Sequence, residues 1–201
     1  MSQPGQIIVV RHGQTAANAQ GLLLGRLDVD LDDVGRAQAT ALAAAVPAPD
    51  LVVTSPLART RQTAAAFGGD VEIEVDEQWI EMDYGEFDGH PAADVPNETW
   101  ARWRADVDFV PPGGESLARM TARVHDALDD LAARVTGRRV VVVTHVSPIK
   151  AAVGWALEVG PQVSWRTYVA PASITRIGVG PNGPTLRSFN ETMHLGPPIA
   201  P

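Results

Sequence analysis

Three short apolar runs rich in β-branched residues, each ending in polar groups, constrain this chain more than any other feature. Residues 6–10 lead into Arg11-His12-Gly13, residues 51–54 into Ser55-Pro56, and residues 140–143 into Thr144-His145. Continuous apolar runs of this length, bounded by turn residues, read as strands buried on both faces. Helical patterns separate them. The acidic pair Asp32-Asp33 opens an Ala-rich stretch over 35–46 that Pro47 and Pro49 stop, and Pro56 opens another over 57–67 that ends at Gly68-Gly69. Residues 115–134 place Leu117, Met120, Val124, Leu128 and Leu131 at helical spacing, and 148–157 continue as a helix after the third strand. Residues 71–75 alternate with period two, as a half-buried strand would; 98–104 read as a short helix, and 167–189 as two or three shorter strands. Strands alternating with helices predict a three-layer α/β/α sandwich with a mainly parallel central sheet. Ligands in such folds bind outside the carboxyl ends of the strands, so the residues after 10, 54 and 143 fall on the functional edge.

The chain has 201 residues, enough for a single domain over 1–201 with one small insertion. A formal charge of −8 argues against general nucleic-acid binding. No stretch approaches the roughly 18 apolar residues of a membrane-spanning helix. The apolar run near the N-terminus is too short for a signal peptide, so no membrane partner and a cytoplasmic location are expected. With no cysteine, a disulfide framework, a thiolate nucleophile and a cysteine-bound metal are excluded. Of the 16 Lys and Arg residues only Lys150 is a lysine. Such a bias fits an Ala-, Arg- and Val-rich composition, yet the planar guanidinium also suits bidentate phosphate contacts.

Two histidines, His12 and His145, and two arginines, Arg11 and Arg59, fall at or just beyond these strand ends. Packing alone does not account for them, because their desolvation would go uncompensated; a bound anion compensates it. His90 and His125 lie after a turn and on a helix, where a satisfied structural histidine is the ordinary reading. No His-x-x-x-His or Asp-x-Asp loop with metal-ligand context is present, so neither metal nor cofactor is expected. Asp28, Asp30, Asp32 and Asp33 read as a hydrated acidic loop ahead of a helix rather than a calcium loop.

Val10-Arg11-His12-Gly13-Gln14-Thr15-Ala16-Ala17-Asn18 resembles the opening signature of the histidine phosphatase superfamily, the phosphoglycerate mutase-like fold, with Gln14 where Glu is commoner. The likeness continues through 25–35, through Ser55-Pro-Leu-Ala-Arg-Thr-Arg-Gln-Thr-Ala64, through Glu81-Met-Asp-Tyr-Gly-Glu-Phe-Asp-Gly89, and at Thr144-His145. It implies a phosphatase that hydrolyses phosphomonoesters through a phosphohistidine on His12. Arg11, Arg59 and His145 would hold the phosphoryl oxygens, and Glu81 would be the general acid and base. From the residues alone Asp83 and Glu86 are equal rivals for that last role; the resemblance selects Glu81. It also brings Asn18, Thr15, the Gly25 backbone and Val146 toward the phosphate, with helix capping an equal reading of Thr15.

Two departures bear on substrate fit. Val146-Ser147 stand where glycine usually follows the second histidine, and Leu24 stands where a polar residue is common. Valine resists positive φ, so the backbone there must be accommodated differently, or Ser147 supplies a hydroxyl. The segment around 81–114 is taken as a short lid. Its Trp100 and Trp103 either wall the leaving-group pocket or pack the insertion onto the core, and His194 is read as pinning the tail. A cofactor-dependent phosphoglycerate mutase is the alternative activity, and a non-catalytic phospho-ligand binding module a third. The stretch 88–114 is short and acidic, with Arg102 and Arg104 its only arginines, whereas the mutases it resembles carry a larger basic insertion. Hydrolysis is therefore the expected chemistry, the partner a small phosphorylated metabolite, and a homodimer the assembly to look for.

Overall fold

The computed structural model describes residues 4–196. Six strands form one mixed sheet: β1 (Gly5–Arg11), β2 (Leu51–Thr54), β3 (Ile73–Val75), β4 (Arg139–Thr144), β5 (Ile174–Gly180) and β6 (Gly183–Glu191), in the spatial order β3-β2-β4-β1-β5-β6. β3, β2, β4 and β1 are parallel neighbours, and β5 and β6 close the other side antiparallel, so the sheet is mainly parallel as expected.

The helices are α1 (Ala16–Ala19), α2 (Asp33–Ala45), α3 (Ala58–Ala65), α4 (Asn97–Ala105), α5 (Leu117–Arg134) and α6 (Val146–Leu157). Side chains of a strand alternate between faces, which splits the interior into two cores. Ile7, Val9, Val140 and Val142 pack with Leu128 of α5 and Ile149 of α6. Ile8, Val10, Val141 and Val143 pack with Leu42 of α2 and Ala64 of α3. The central strands are buried on both sides because each side meets helices, which makes three layers. Asp32 and Ser116 cap α2 and α5 through their side chains, fixing where those helices begin.

Two expectations change, and the tail keeps the lower of the two strand numbers expected for it. The helix expected from 148 starts two residues earlier, so Val146 has helical backbone and needs no positive φ; the missing glycine costs nothing there. The alternation over 71–75 does not bury an apolar face, since Ile73 and Val75 are 44% and 55% exposed. β3 is the edge of the sheet, where period two can persist without a covering layer. The tail beyond 167 holds two strands, joined as a hairpin. Among the described residues no helix is long and apolar enough to cross a membrane.

Candidate active site

β2, β4 and β1 are adjacent and parallel, so their carboxyl ends open at one level: Arg11 pairs with Thr144, and Thr54 with Val143. Each chain then continues the ladder by one bond. His12 N–H donates to Thr144 O at 3.0 Å and Ser55 N–H to Val143 O at 3.1 Å. His12, Ser55 and His145 therefore leave the sheet side by side. Beyond His12 the turn is forced tight. Gly13 N–H donates to Thr63 Oγ1 at 3.1 Å, and a Cβ on Gly13 would run into the backbone of Gly35 in the first turn of α2.

The His12 ring is held by its Nδ1–H, which donates to Gly13 O at 2.7 Å, leaving Nε2 with its lone pair. The ring centroids of His12 and His145 are 5.2 Å apart. Arg59, from the first turn of α3, donates from Nε to His145 Nδ1 at 3.3 Å. With Nδ1 accepting, His145 carries its proton on Nε2, which lies 2.8 Å from Ser55 Oγ. The other nitrogens of Arg59 bind Leu27 O and Gly25 O at 2.7 and 2.6 Å. Arg11 donates from one terminal nitrogen to Val169 O at 2.8 Å, and its buried Nε has no partner among the described residues.

The electrostatics follow from burial. Both imidazoles are pushed well below the usual histidine range, first by loss of water and then by the guanidinium charges of Arg11 and Arg59. The Gly13 carbonyl pulls His12 only weakly the other way. Burial lowers Arg59 to about 10, against the opposing pull of Glu81, Asp88 and Asp28, and it also lowers Arg11. Two buried guanidinium groups thus face one buried carboxylate and two neutral rings. The imbalance favours an anion.

That carboxylate is Glu81, 2% exposed. It accepts from Met82 N at 2.7 Å, from Val146 N at 3.0 Å and from Ser147 N at 3.1 Å. It supplies from outside the cap that the first turn of α6 lacks, since His145 makes no side-chain cap bond. The turn that ends at Glu81 is clamped by Arg123 of α5, which donates to the carbonyls of Gln78, Ile80 and Glu81 and pairs with Glu115. The rivals stand apart: Asp83 accepts from Gly85 N and faces Arg26, and Glu86 is exposed.

The remaining candidates are spread more widely. Thr15 and Asn18 form a reciprocal capping box on α1, each side chain bonded to the other's backbone N–H. Gly25 gives its N–H to Asp88 and its carbonyl to Arg59. The Val146 N–H is held by Glu81. Trp103 is buried in the core with Trp100 against it, while both also line a pocket described below. His194 faces Ala172 O at 3.0 Å, and the Ala172 N–H donates to His12 O, so the tail is tied to the loop behind His12. Asp28 and Asp30 accept from Ala58 N and from the Gln62 side chain, which spends the acidic loop on α3.

Sequence reasoning gave no role to Ser55, Asp88, Arg123, Tyr84 or Lys150. Asp88 alone gathers the amides of Gly25, Arg26 and Leu27, the loop whose carbonyls orient Arg59. The only local signals were the place of Asp88 in the block 81–89 and the presence of Arg123 on the helical pattern of α5.

Fold and site together define a class: an α/β protein whose strand ends converge two arginines and two neutral histidines on one anion-compatible point. Residues 7–192 match the model of the histidine phosphatase superfamily (branch 1), and the chain belongs to that family. It is 33% identical to the bifunctional protein Rv2228c of Mycobacterium tuberculosis over 96% of this chain, and spans 55% of that protein's length. It is 32% identical to phosphoserine phosphatase 1 of Hydrogenobacter thermophilus, covering 95% of this chain and 94% of that one. Its fold matches that of a mutant phosphoserine phosphatase of Entamoeba histolytica in complex with phosphoserine. The TM-score is 0.88, with 27% identity over 94% of this chain and 98% of that one.

Proposed function

We propose that this protein hydrolyses the phosphomonoester of a small metabolite through a phosphohistidine on His12, without a metal. The observation that carries the reading is the fixed tautomer of His12: Nδ1 is held by Gly13 O, so a neutral Nε2 is free beside Arg11, Arg59 and His145. Nε2 attacks phosphorus as the bond to the leaving oxygen breaks, and Glu81 protonates that oxygen. Water then attacks the phosphohistidine, the P–N bond breaks, and Glu81 takes the water's proton.

Arg11 and Arg59 stabilise the non-bridging oxygens throughout. Each charge-assisted hydrogen bond contributes about 1.5–3 kcal/mol. His145 joins them when its Nε2–H exchanges Ser55 for a phosphate oxygen. In the free protein Glu81 accepts from the amides of Met82, Val146 and Ser147, which hold it in place at the site. The segment 81–114 covers the leaving-group side.

The test is phosphate release from p-nitrophenyl phosphate and from 3-phosphoglycerate, the latter with and without 2,3-bisphosphoglycerate. Release that disappears in His12→Ala is expected. Cofactor-dependent 2-phosphoglycerate without comparable phosphate would make it a mutase, and turnover retained by His12→Ala would overturn the mechanism.

A further inference from the structure

Beside Glu81 lies a pocket of about 160 Å³, walled by Tyr84, Trp100, Trp103 and Trp165. Val146 and Ser147, whose amides hold Glu81, form part of the same wall, and the Tyr84 and Ser147 hydroxyls are 3.2 Å apart. The pocket therefore adjoins the residues whose amides hold the general acid.

Among the described residues that line this space, one is a cation. Lys150, the chain's only lysine, lies one turn after Val146 on α6. Its ammonium donates to Ser164 O at 2.9 Å, and no carboxylate lies within 4.0 Å of it among the described residues. An ammonium has three donors, so this bond leaves two. On the same wall the buried Ser164 Oγ and Trp165 Nε1 have no partner. A half-buried ammonium with spare donors, set among aromatic rings, is poorly compensated unless a ligand brings an acceptor of opposite charge.

Resting on the phosphatase reading above, we infer that Lys150 is a specificity-determining residue that receives a carboxylate of the leaving group, so that the preferred substrates are small phosphorylated hydroxy acids. The aromatic walls cover the carbon skeleton, and the enclosed volume limits the leaving group to a few heavy atoms. A tie between α6 and the turn over 161–166 would explain the Ser164 bond alone. It would not explain donors left unpartnered beside it.

The experiment compares kcat/KM for 3-phosphoglycerate, glycerol 3-phosphate and p-nitrophenyl phosphate in the wild type, Lys150→Met and Lys150→Arg, with thermal melting of each. The wild type is expected to prefer 3-phosphoglycerate to glycerol 3-phosphate, its analogue without the carboxylate. Lys150→Met is expected to lose about 10- to 100-fold on 3-phosphoglycerate, mostly in KM, while the other two substrates change little. Lys150→Arg keeps the preference. An equal loss on all three substrates, or no preference in a wild type that turns over p-nitrophenyl phosphate, overturns this inference and leaves the phosphatase reading standing. No turnover of any of the three overturns both.

Discussion

The carboxylate of Glu81 and the backbone N–H of Val146 are 3.0 Å apart, across 65 residues of sequence. The bond joins the turn that ends at Glu81 to the first turn of α6, and it lets a carboxylate sit almost without water. The helix N-terminus supplies the favourable field, and Arg11 adds a long-range attraction.

Glu81→Gln removes both that charge and the proton donor. Substrates with poor leaving groups, such as glycerol 3-phosphate, should slow by about 10²–10⁴-fold, and p-nitrophenyl phosphate by far less. A uniform loss in kcat on both would assign Glu81 a structural role instead.

Arg123 is a positioning residue in this scheme, because it acts on the backbone that carries Glu81. Arg123→Met should reproduce the leaving-group selectivity of Glu81→Gln in weaker form. It should also destabilise the fold by about 1–3 kcal/mol through the orphaned carbonyls and Glu115. Urea unfolding together with the ratio of the two substrates' kcat values checks both parts; lost stability with an unchanged ratio would confine Arg123 to folding.

Ser55→Ala removes the acceptor of the His145 Nε2–H. Stability should fall by about 1–3 kcal/mol, yet inhibition by orthovanadate should be equal or tighter, since the free protein no longer competes for that proton. Vanadate binding weakened tenfold or more would mean that Ser55 itself contacts the anion.

The two buried imidazoles set a pH dependence of stability. Their folded pKa values lie below the ordinary 6.5, so below about pH 6.5 the unfolded chain takes up protons that the folded protein refuses. Stability must then fall as the pH drops from about 6.5, by up to about 1.4 kcal/mol per pH unit for each ring. Urea midpoints between about pH 7.5 and pH 5, above most carboxylate titration, should show this slope in the wild type. The slope should be smaller in His145→Asn. A flat profile in the wild type would contradict the burial of neutral rings.

Much of this is legible in the sequence, because it is local. An apolar β-branched run followed by a turn specifies a buried strand, and the residue after it lands at the sheet edge whatever the rest does. That is why Arg11, His12, Arg59 and His145 could be named together. Ser116 and Asp32 capped their helices within a residue or two of where the pattern began. The edge strand β3 was misjudged because alternation reports a period, and only the neighbouring layers decide whether either face is covered.

The sequence by itself determined which residues end the strands, and with them the candidate nucleophile and its arginines. Tertiary structure alone decided which nitrogen of each histidine holds the proton, that Arg123 clamps Glu81 across 42 residues, and that Lys150 lines one pocket with three tryptophans. Those outcomes depend on desolvation and on partners far apart in the chain. A residue type carries its charge and its donors, but the energy of burying them is set only when the fold supplies, or withholds, the opposing group.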